Sequence, residues 1–323
     1  MNCLCCSKPI DASAFEEELS TGWHRSCVRR FFGTRKLPEI DITEEKLLEL
    51  AKESVNQGLT VPGVQKKISL HLTAGINPRL TLVNYPTGFI LKPQTAEYEN
   101  LPECEYLAMQ MAEAAGIKTV PYALIRLHGH ENNLAYITRR IDRIGNKNPS
   151  MLAMEDFCQL DGRLAQDKYR GSYERCAKII QRYSDRPGID LTDFYYRLLL
   201  SFVIGNSDLH LKNLSLIETA PGSQKYVFSP TYDFLPVNVV LPEDQDEFAL
   251  TMCGKNRRIR RNDFIKFALS IGISEKVADA LIGQCIGQEK SLLSLAERSL
   301  LPANMKTTFI NLISERMAVL KSV

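Results

Sequence analysis

No stretch of the 323-residue sequence reaches the run of about 20 apolar residues that a membrane-spanning helix needs. The N-terminus, MNCLCCSKPI, also lacks the basic segment followed by an apolar one that marks a secretory leader. The expectation is a soluble, cytoplasmic protein with no membrane partner. Charge of one sign is lacking as well: 40 Lys and Arg stand against 38 Asp and Glu, a net +2. Such a balance gives no protein-wide attraction for nucleic acid or an anionic surface, so any contact of that kind has to be local. Disulfides seldom persist in a reducing compartment, so the nine cysteines read as thiols or metal ligands. Length excludes little, because 323 residues suffice for two or three domain-sized units.

The stretch that organises the chain is GNSDLHLKN at residues 205–213, followed by SPTYDFLP at 229–236. Asp208 and Asn213 lie five positions apart, and Asp233 follows at the end of a hairpin expected from NLSLIE and KYVFSP. Protein kinases place a base Asp and a metal-binding Asn at this separation, with a second metal-binding Asp in a later D-F-G. Here that later place reads Asp233-Phe234-Leu235. Phosphoryl transfer needs positioned charge more than covalent chemistry. The pattern therefore assigns Asp208 to accept the proton of a substrate hydroxyl, and Asn213 and Asp233 to hold Mg2+. His210 lies between them, to steer Asp208, to approach the transferred phosphate or to bond locally within the loop. The preceding LTDFYYRLLLSFVIGN is apolar almost throughout residues 194–204, so a buried helix should deliver the loop. A paired-carboxylate hydrolase is the competing enzyme class, but it needs neither the lysine nor the glycine loop found upstream.

Upstream, LTVPGVQKKISLHL carries Gly58 and Gly63 and runs into strand-like KKISLHL and RLTLVNY around a GINP turn. Such a loop can bring backbone N–H groups to phosphates, or it can be an ordinary turn. The next strand, GFILKP, delivers Lys92, which is either the phosphate-holding lysine of a kinase or a solvated lysine before a proline. PECEYLAMQMAEAAG has a helical period and stops at Gly116; Glu103 and Glu105 can pair with Lys92 or favour the helix dipole. IKTVPYALIRLHG and NNLAYITRRIDR add two strands around residues 129–133. The region thus reads as a largely antiparallel sheet with one helix, and backbone groups of residues 138–141, Arg139 and Ile141 among them, are the expected adenine contacts.

At the N-terminus stand Cys3-x-x-Cys6 and, 18 residues on, His24-x-x-Cys27. Two such knuckles can close a structural tetrahedral Zn2+ site, with Cys5 as a spare thiol; incidental buried thiols are the alternative. Residues 43–54 read as a short capped helix. From Met154 the pattern is helical, in MEDFCQL, SYERCAKIIQRYS, FIKFALSIGI, VADALIGQCI and FINLISERMAVL. GKNRRIRRND holds Arg257, Arg258, Arg260 and Arg261, either a solvated loop or a contact for an acidic protein, RNA or DNA. The expected domains are a cysteine-rich module over 1–40, an N-lobe over 41–150 and a C-lobe over 151–323.

VPGVQKK, GFILKP, CEYLAMQMAE, ITRRIDR, MEDFCQL with the following KY, GNSDLHLKN and TYDFLP stand in the order found in the HipA-like serine/threonine kinases of bacterial toxin–antitoxin systems. The chain resembles that family from about residue 59 onward. The resemblance implies an α+β, bilobal, protein-kinase-like fold with a β-rich N-lobe and a mostly helical C-lobe. It implies ATP- and Mg2+-dependent phosphorylation of a protein hydroxyl, with Glu105 as the partner of Lys92 and nucleotide contacts from Gly63, Val64 and Gln65. Known members phosphorylate an aminoacyl-tRNA synthetase and are restrained by a DNA-binding helix-turn-helix antitoxin. These become the expected substrate and partner, with DNA met only through the antitoxin. Only about 58 residues precede the glycine loop, so the chain looks like the short, HipT-type members, in which a small companion protein stands in for an N-terminal subdomain. The family's autophosphorylated serine is matched by Thr60, which keeps a hydroxyl, and Cys104 replaces the Asn that usually precedes the helix glutamate. The alternative is a catalytically quiet kinase-fold module acting with the antitoxin as a repressor. Retention of Lys92, Asp208, Asn213 and Asp233 argues against it.

Overall fold

The computed structural model describes residues 1–40, 67–73, 77–81, 88–95, 97–127, 134–145 and 150–322. Thr60, Gly63, Val64, Gln65, the helix expected over 43–54 and the turn at 129–133 lie outside the described residues. The chain divides into two compact units, one of residues 1–106 and 120–149 and one of residues 107–119 and 150–323.

The first unit opens with two short helices, α1 (Glu16–Thr21) and α2 (Arg25–Phe32), and strand β1 (Glu39–Ile40). Then come β2 (Ile68–Leu72), β3 (Arg79–Thr81), β4 (Phe89–Pro93), α3 (Leu101–Ala114), β5 (Tyr122–Arg126), β6 (Leu134–Arg139) and β7 (Arg143–Ile144). Six strands form one sheet in the order β1-β3-β2-β4-β6-β5, antiparallel except where β1 meets β3. β4 is interior, and its Lys92 lies opposite Tyr136 of β6. Side chains alternate between faces along a strand, yet Leu91 and Lys92 are both buried, so this part of β4 is covered on both faces. Part of that cover is the cysteine-rich segment. Phe31 and Phe32 set their rings 5.9 and 5.3 Å from Phe89. The Trp23 indole donates to Leu124 O at 3.1 Å, and Leu124 N donates to Leu4 O at 2.9 Å. The division between units falls within α3, after Tyr106.

The second unit contains β8 (Ser150–Met151), β9 (Met154–Asp156), α4 (Phe157–Leu160), α5 (Tyr173–Tyr183), α6 (Pro187–Ile204), β10 (Ser215–Glu218), β11 (Tyr226–Phe228) and α7 (Val237–Val240). Helices α8 (Arg261–Ser270), α9 (Glu275–Gly287), α10 (Glu289–Glu297) and α11 (Ala303–Lys321) complete it. MEDFCQL, expected as one helix, is half strand: residues 154–156 pair with β10, and only then does Asp156 cap α4 by accepting from Gln159 N. Three residues of cross-strand pairing outweigh a weak helical propensity there.

α6 is buried on nearly every side, as its apolar run requires. Phe194 meets Tyr173, Phe228 and Phe267 edge-on at centroid distances of 6.1, 5.9 and 6.3 Å. Pairs of this kind contribute roughly 0.5–1.5 kcal/mol each beyond area burial. In the basic cluster, Arg257 pairs with Asp246, while Arg261 reaches Asp279 and Leu320 O, both at 2.7 Å. Half of that cluster is therefore engaged internally. Among the described residues, no helix is long and apolar enough to cross a membrane.

Candidate functional site

α6 ends at Gly205, in the left-handed region at φ 71°, where a Cβ would stand 2.5 Å from Leu312 Cδ2. Only glycine lets the chain turn out of a buried helix at this point. The next residues close on themselves. His210 N donates to Asp208 O at 2.8 Å, Asn213 N to His210 O at 2.9 Å, and Asn213 Nδ2 to Asp208 O at 2.9 Å. The Asn206 side-chain oxygen receives Asp208 N at 3.3 Å, and Ser207 Oγ donates to Asp244 at 2.7 Å. Asp208 is thus tied down by its backbone, while its side chain stays 40% exposed.

One oxygen of that carboxylate is occupied: the Tyr169 hydroxyl donates to Asp208 Oδ1 at 2.7 Å. Burial and the Asp208 charge push the Tyr169 phenol up, so it remains a donor at neutral pH. His210 stands edge-on to the Tyr169 ring at 5.0 Å, with Nε2 3.9 Å from Asp208 Oδ1, too far for a hydrogen bond. Burial pushes the His210 pKa below the ordinary histidine value, against the opposing pull of Asp208. His210 is therefore a neutral ring at pH 7. Its Nδ1 is buried with no hydrogen-bond partner among the described residues, and so is Asn206 Nδ2.

Asp233 arrives by a separate route. Arg197 in α6 forks onto Asp193 at 3.1 and 2.8 Å, donates to Ser229 O at 2.5 Å and lies 3.9 Å over the Phe228 ring. This holds the end of β11, and four residues later Asp233 adopts a left-handed φ of 56°. A non-glycine residue there is uncommon, and Asp is among the few that tolerate it. The negative charge of Asp233 acts on both Tyr169 and His210. With Asn213 Nδ2 committed to the Asp208 carbonyl, its Oδ1 is the amide's acceptor atom. An amide oxygen and a carboxylate are hard donors of the type Mg2+ prefers. Lys212, between the expected site residues, donates to Asp156 at 2.6 Å and so fastens the loop to the start of α4.

In the first unit, Lys92 Nζ donates to Glu105 Oε1 at 2.5 Å, the two side chains being 4% and 1% exposed. The ammonium also lies 5.2 Å from the Tyr136 ring centroid. Glu103 instead accepts from Asn100 at 3.5 Å, and burial pushes its carboxyl up. Cys104, between them, is fully buried. At the other end of β6, Arg139 N donates to Pro121 O and Arg140 N to Gly88 O, while Ile141 begins the following turn.

Cys3, Cys6, His24 and Cys27 gather in the first unit, all four ligand atoms within 4.8 Å of one another. Reading the sequence overlooked Tyr169 as a site residue. The signal was present, since KY follows MEDFCQL among the quoted segments, but Tyr169 and Asp208 are 39 residues apart and no periodicity links them.

Comparison with known proteins bears on the family and the fold. The model of the HipA-like C-terminal domain matches residues 59–292. A Haemophilus influenzae protein with a provisional kinase name is 25% identical over 311 residues, which cover 88% of each chain. A Sinorhizobium fredii protein, also provisionally named a kinase, is 27% identical over 72% of this chain and 58% of its own length. Among solved structures, HipA of Shewanella oneidensis, determined with HipB and operator DNA, superposes with a TM-score of 0.67 at 19% identity, over 80% of this chain and 64% of that one. The Helicobacter pylori proinflammatory kinase CtkA gives a TM-score of 0.52 at 15% identity, over 74% of this chain and 90% of that one. The fold is thus α+β and kinase-like, and the chain belongs to the family of the HipA-like C-terminal domain.

Proposed function

We propose that the protein is an ATP- and Mg2+-dependent serine/threonine protein kinase, the toxin of a bacterial toxin–antitoxin system. Its substrate is a protein of the aminoacyl-tRNA synthetase class. A helix-turn-helix antitoxin restrains it, with a small companion protein as a third component, and Thr60 is its autophosphorylation site. The antitoxin partner is supported by the Shewanella oneidensis relative, which was solved together with HipB and operator DNA.

The observation that carries the reading is the state of Asp208. Tyr169 occupies Oδ1, so Oδ2 is the oxygen offered to an incoming hydroxyl, on a side chain 40% exposed and a backbone that cannot swing away. A carboxylate held in this way accepts the hydroxyl proton as the oxygen attacks phosphorus. Asn213 and Asp233 are the residues that would hold Mg2+, and the bound ion supplies neutralisation of phosphate charge. The Lys92 ammonium, oriented by Glu105, serves the nucleotide phosphates.

The test incubates the protein with labelled ATP and Mg2+ in a bacterial lysate, beside Asp208→Asn. Label on a lysate protein or on the chain itself, absent with the variant, supports the reading. No transfer by either protein overturns it. Mass spectrometry of the labelled chain then locates the modified hydroxyl, with Thr60 expected.

A further inference from the structure

We infer that Cys3, Cys6, His24 and Cys27 form a closed, structural Zn2+ site that clamps the N-terminal segment onto strands β4 and β5. A tetrahedral ion at about 2.3 Å from sulfur and about 2.0–2.1 Å from nitrogen needs ligand atoms roughly 3.4–3.8 Å apart. The four ligand atoms lie within 4.8 Å of one another, and Cys6 Sγ stands 3.4 Å from His24 Nδ1.

Independent details point the same way. His24 Nε2 lies 3.1 Å from Pro9 O, so it carries the ring proton and Nδ1 is left with the lone pair that faces the sulfurs. Metal-binding histidines are typically oriented by such a bond from the other ring nitrogen. His24 N donates to Cys3 Sγ at 3.4 Å, an amide pointing at a sulfur ligand. The first knuckle is a tight turn, with Ser7 N donating to Cys3 O at 2.8 Å, Cys3 N to Lys8 O at 2.9 Å, and Ser7 at φ 55°. The second knuckle places Cys27 in the first turn of α2. Three thiolates and one Zn2+ carry a net charge of −1, and the Arg30 guanidinium lies 3.8 Å from Cys27 Sγ and 4.0 Å from Cys5 Sγ to meet it. Cys3 and Cys27 are buried, all four positions are filled by protein, and no place is left for a reacting water. The role is structural.

What the site holds together is specific. Trp23, the residue before His24, is 1% exposed and donates to Leu124 O, while Leu4, the residue after Cys3, accepts from Leu124 N. Phe31 and Phe32, on the helix that begins at Cys27's turn, pack on Phe89. Each ligand pair therefore sits next to a residue that grips the sheet. A segment of about 40 residues has too small a core to hold this shape unaided, and metals are a usual remedy. None of the four ligands is a residue of the proposed activity, so metal content and label transfer report on the two proposals separately.

The experiment uses the full chain, purified under reducing conditions. One Zn2+ per chain is expected, and exchange with Co2+ should give the intense visible absorption of a tetrahedral, sulfur-rich site. Trp23 is the sole tryptophan of the sequence. Removing Zn2+ with a chelator should move its emission to the red as the indole meets water, and adding Zn2+ back should restore it. Cys6→Ser should lose the metal, whereas Cys5→Ser and His24→Cys should keep it, the latter as a four-cysteine site. Where a variant fails to fold, metal stripped from and returned to the natural protein gives the same information. A reduced protein that takes up neither Zn2+ nor Co2+ overturns the site, as does loss of metal in Cys5→Ser with retention in Cys6→Ser. Unchanged Trp23 emission on removing bound metal overturns the clamp.

Discussion

At Asp208 each neighbour has a separable task. Asp208→Asn keeps the shape and removes the basic oxygen, so label incorporation should fall by about 10²–10⁴-fold with the far-ultraviolet circular dichroism unchanged. Tyr169 touches the carboxylate through one hydrogen bond from a half-exposed ring. Tyr169→Phe should therefore lower kcat by roughly 5- to 10-fold with the KM for ATP unchanged, the signature of a positioning bond worth about 1 kcal/mol. His210 makes a statement about pH. Its folded-state pKa is depressed below 6.5 by burial, so the unfolded chain binds the proton more readily. Stability from this group is complete above pH 6.5 and is lost as pH falls through that value toward the folded-state pKa. Thermal melts across that range should lose less stability on acidification in His210→Gln than in the natural protein. An equal loss in both would assign the acid sensitivity elsewhere.

Among elements, α6 decides where the loop begins. Gly205→Ala forces a side chain into the left-handed region and onto Leu312, a cost of about 1–3 kcal/mol. A drop of several degrees in the melting temperature is expected, with a shift of under one degree counting against that account. β4 and α3 meet through a buried ion pair, and a charge left alone in such a place is expensive. Lys92→Met should destabilise by about 3–5 kcal/mol and abolish transfer. The double change Lys92→Met with Glu105→Leu should recover much of the stability in denaturant melts and none of the activity. Recovery of both would remove Lys92 from the chemistry. α3 itself was legible from its helical period, and α6 from being apolar all round. MEDFCQL was not, since a strand only three residues long is defined by its partner β10, some sixty positions away.

For the whole molecule, the two compact units give the clamp a boundary. Chelation should raise hydrogen exchange at Leu124 N, whose acceptor is Leu4 O, and leave the buried amides of residues 198–204 in α6 protected. Equal deprotection of both would mean that the metal supports more than the first unit. What the sequence determined by itself was local: the five-residue step from Asp208 to Asn213, the two cysteine knuckles, the apolar run of α6, and the order of segments that marks the family. These are readable because spacing along a chain translates directly into spacing within one loop or helix. Only the tertiary structure decided the rest. It set Tyr169 rather than His210 on Asp208, had Arg197 hold the strand that leads to Asp233, and seated Trp23 on a carbonyl 101 residues away. Each of these is a hydrogen bond between distant segments, chosen by which buried polar group needed a partner once the core had closed, and no local period records that choice.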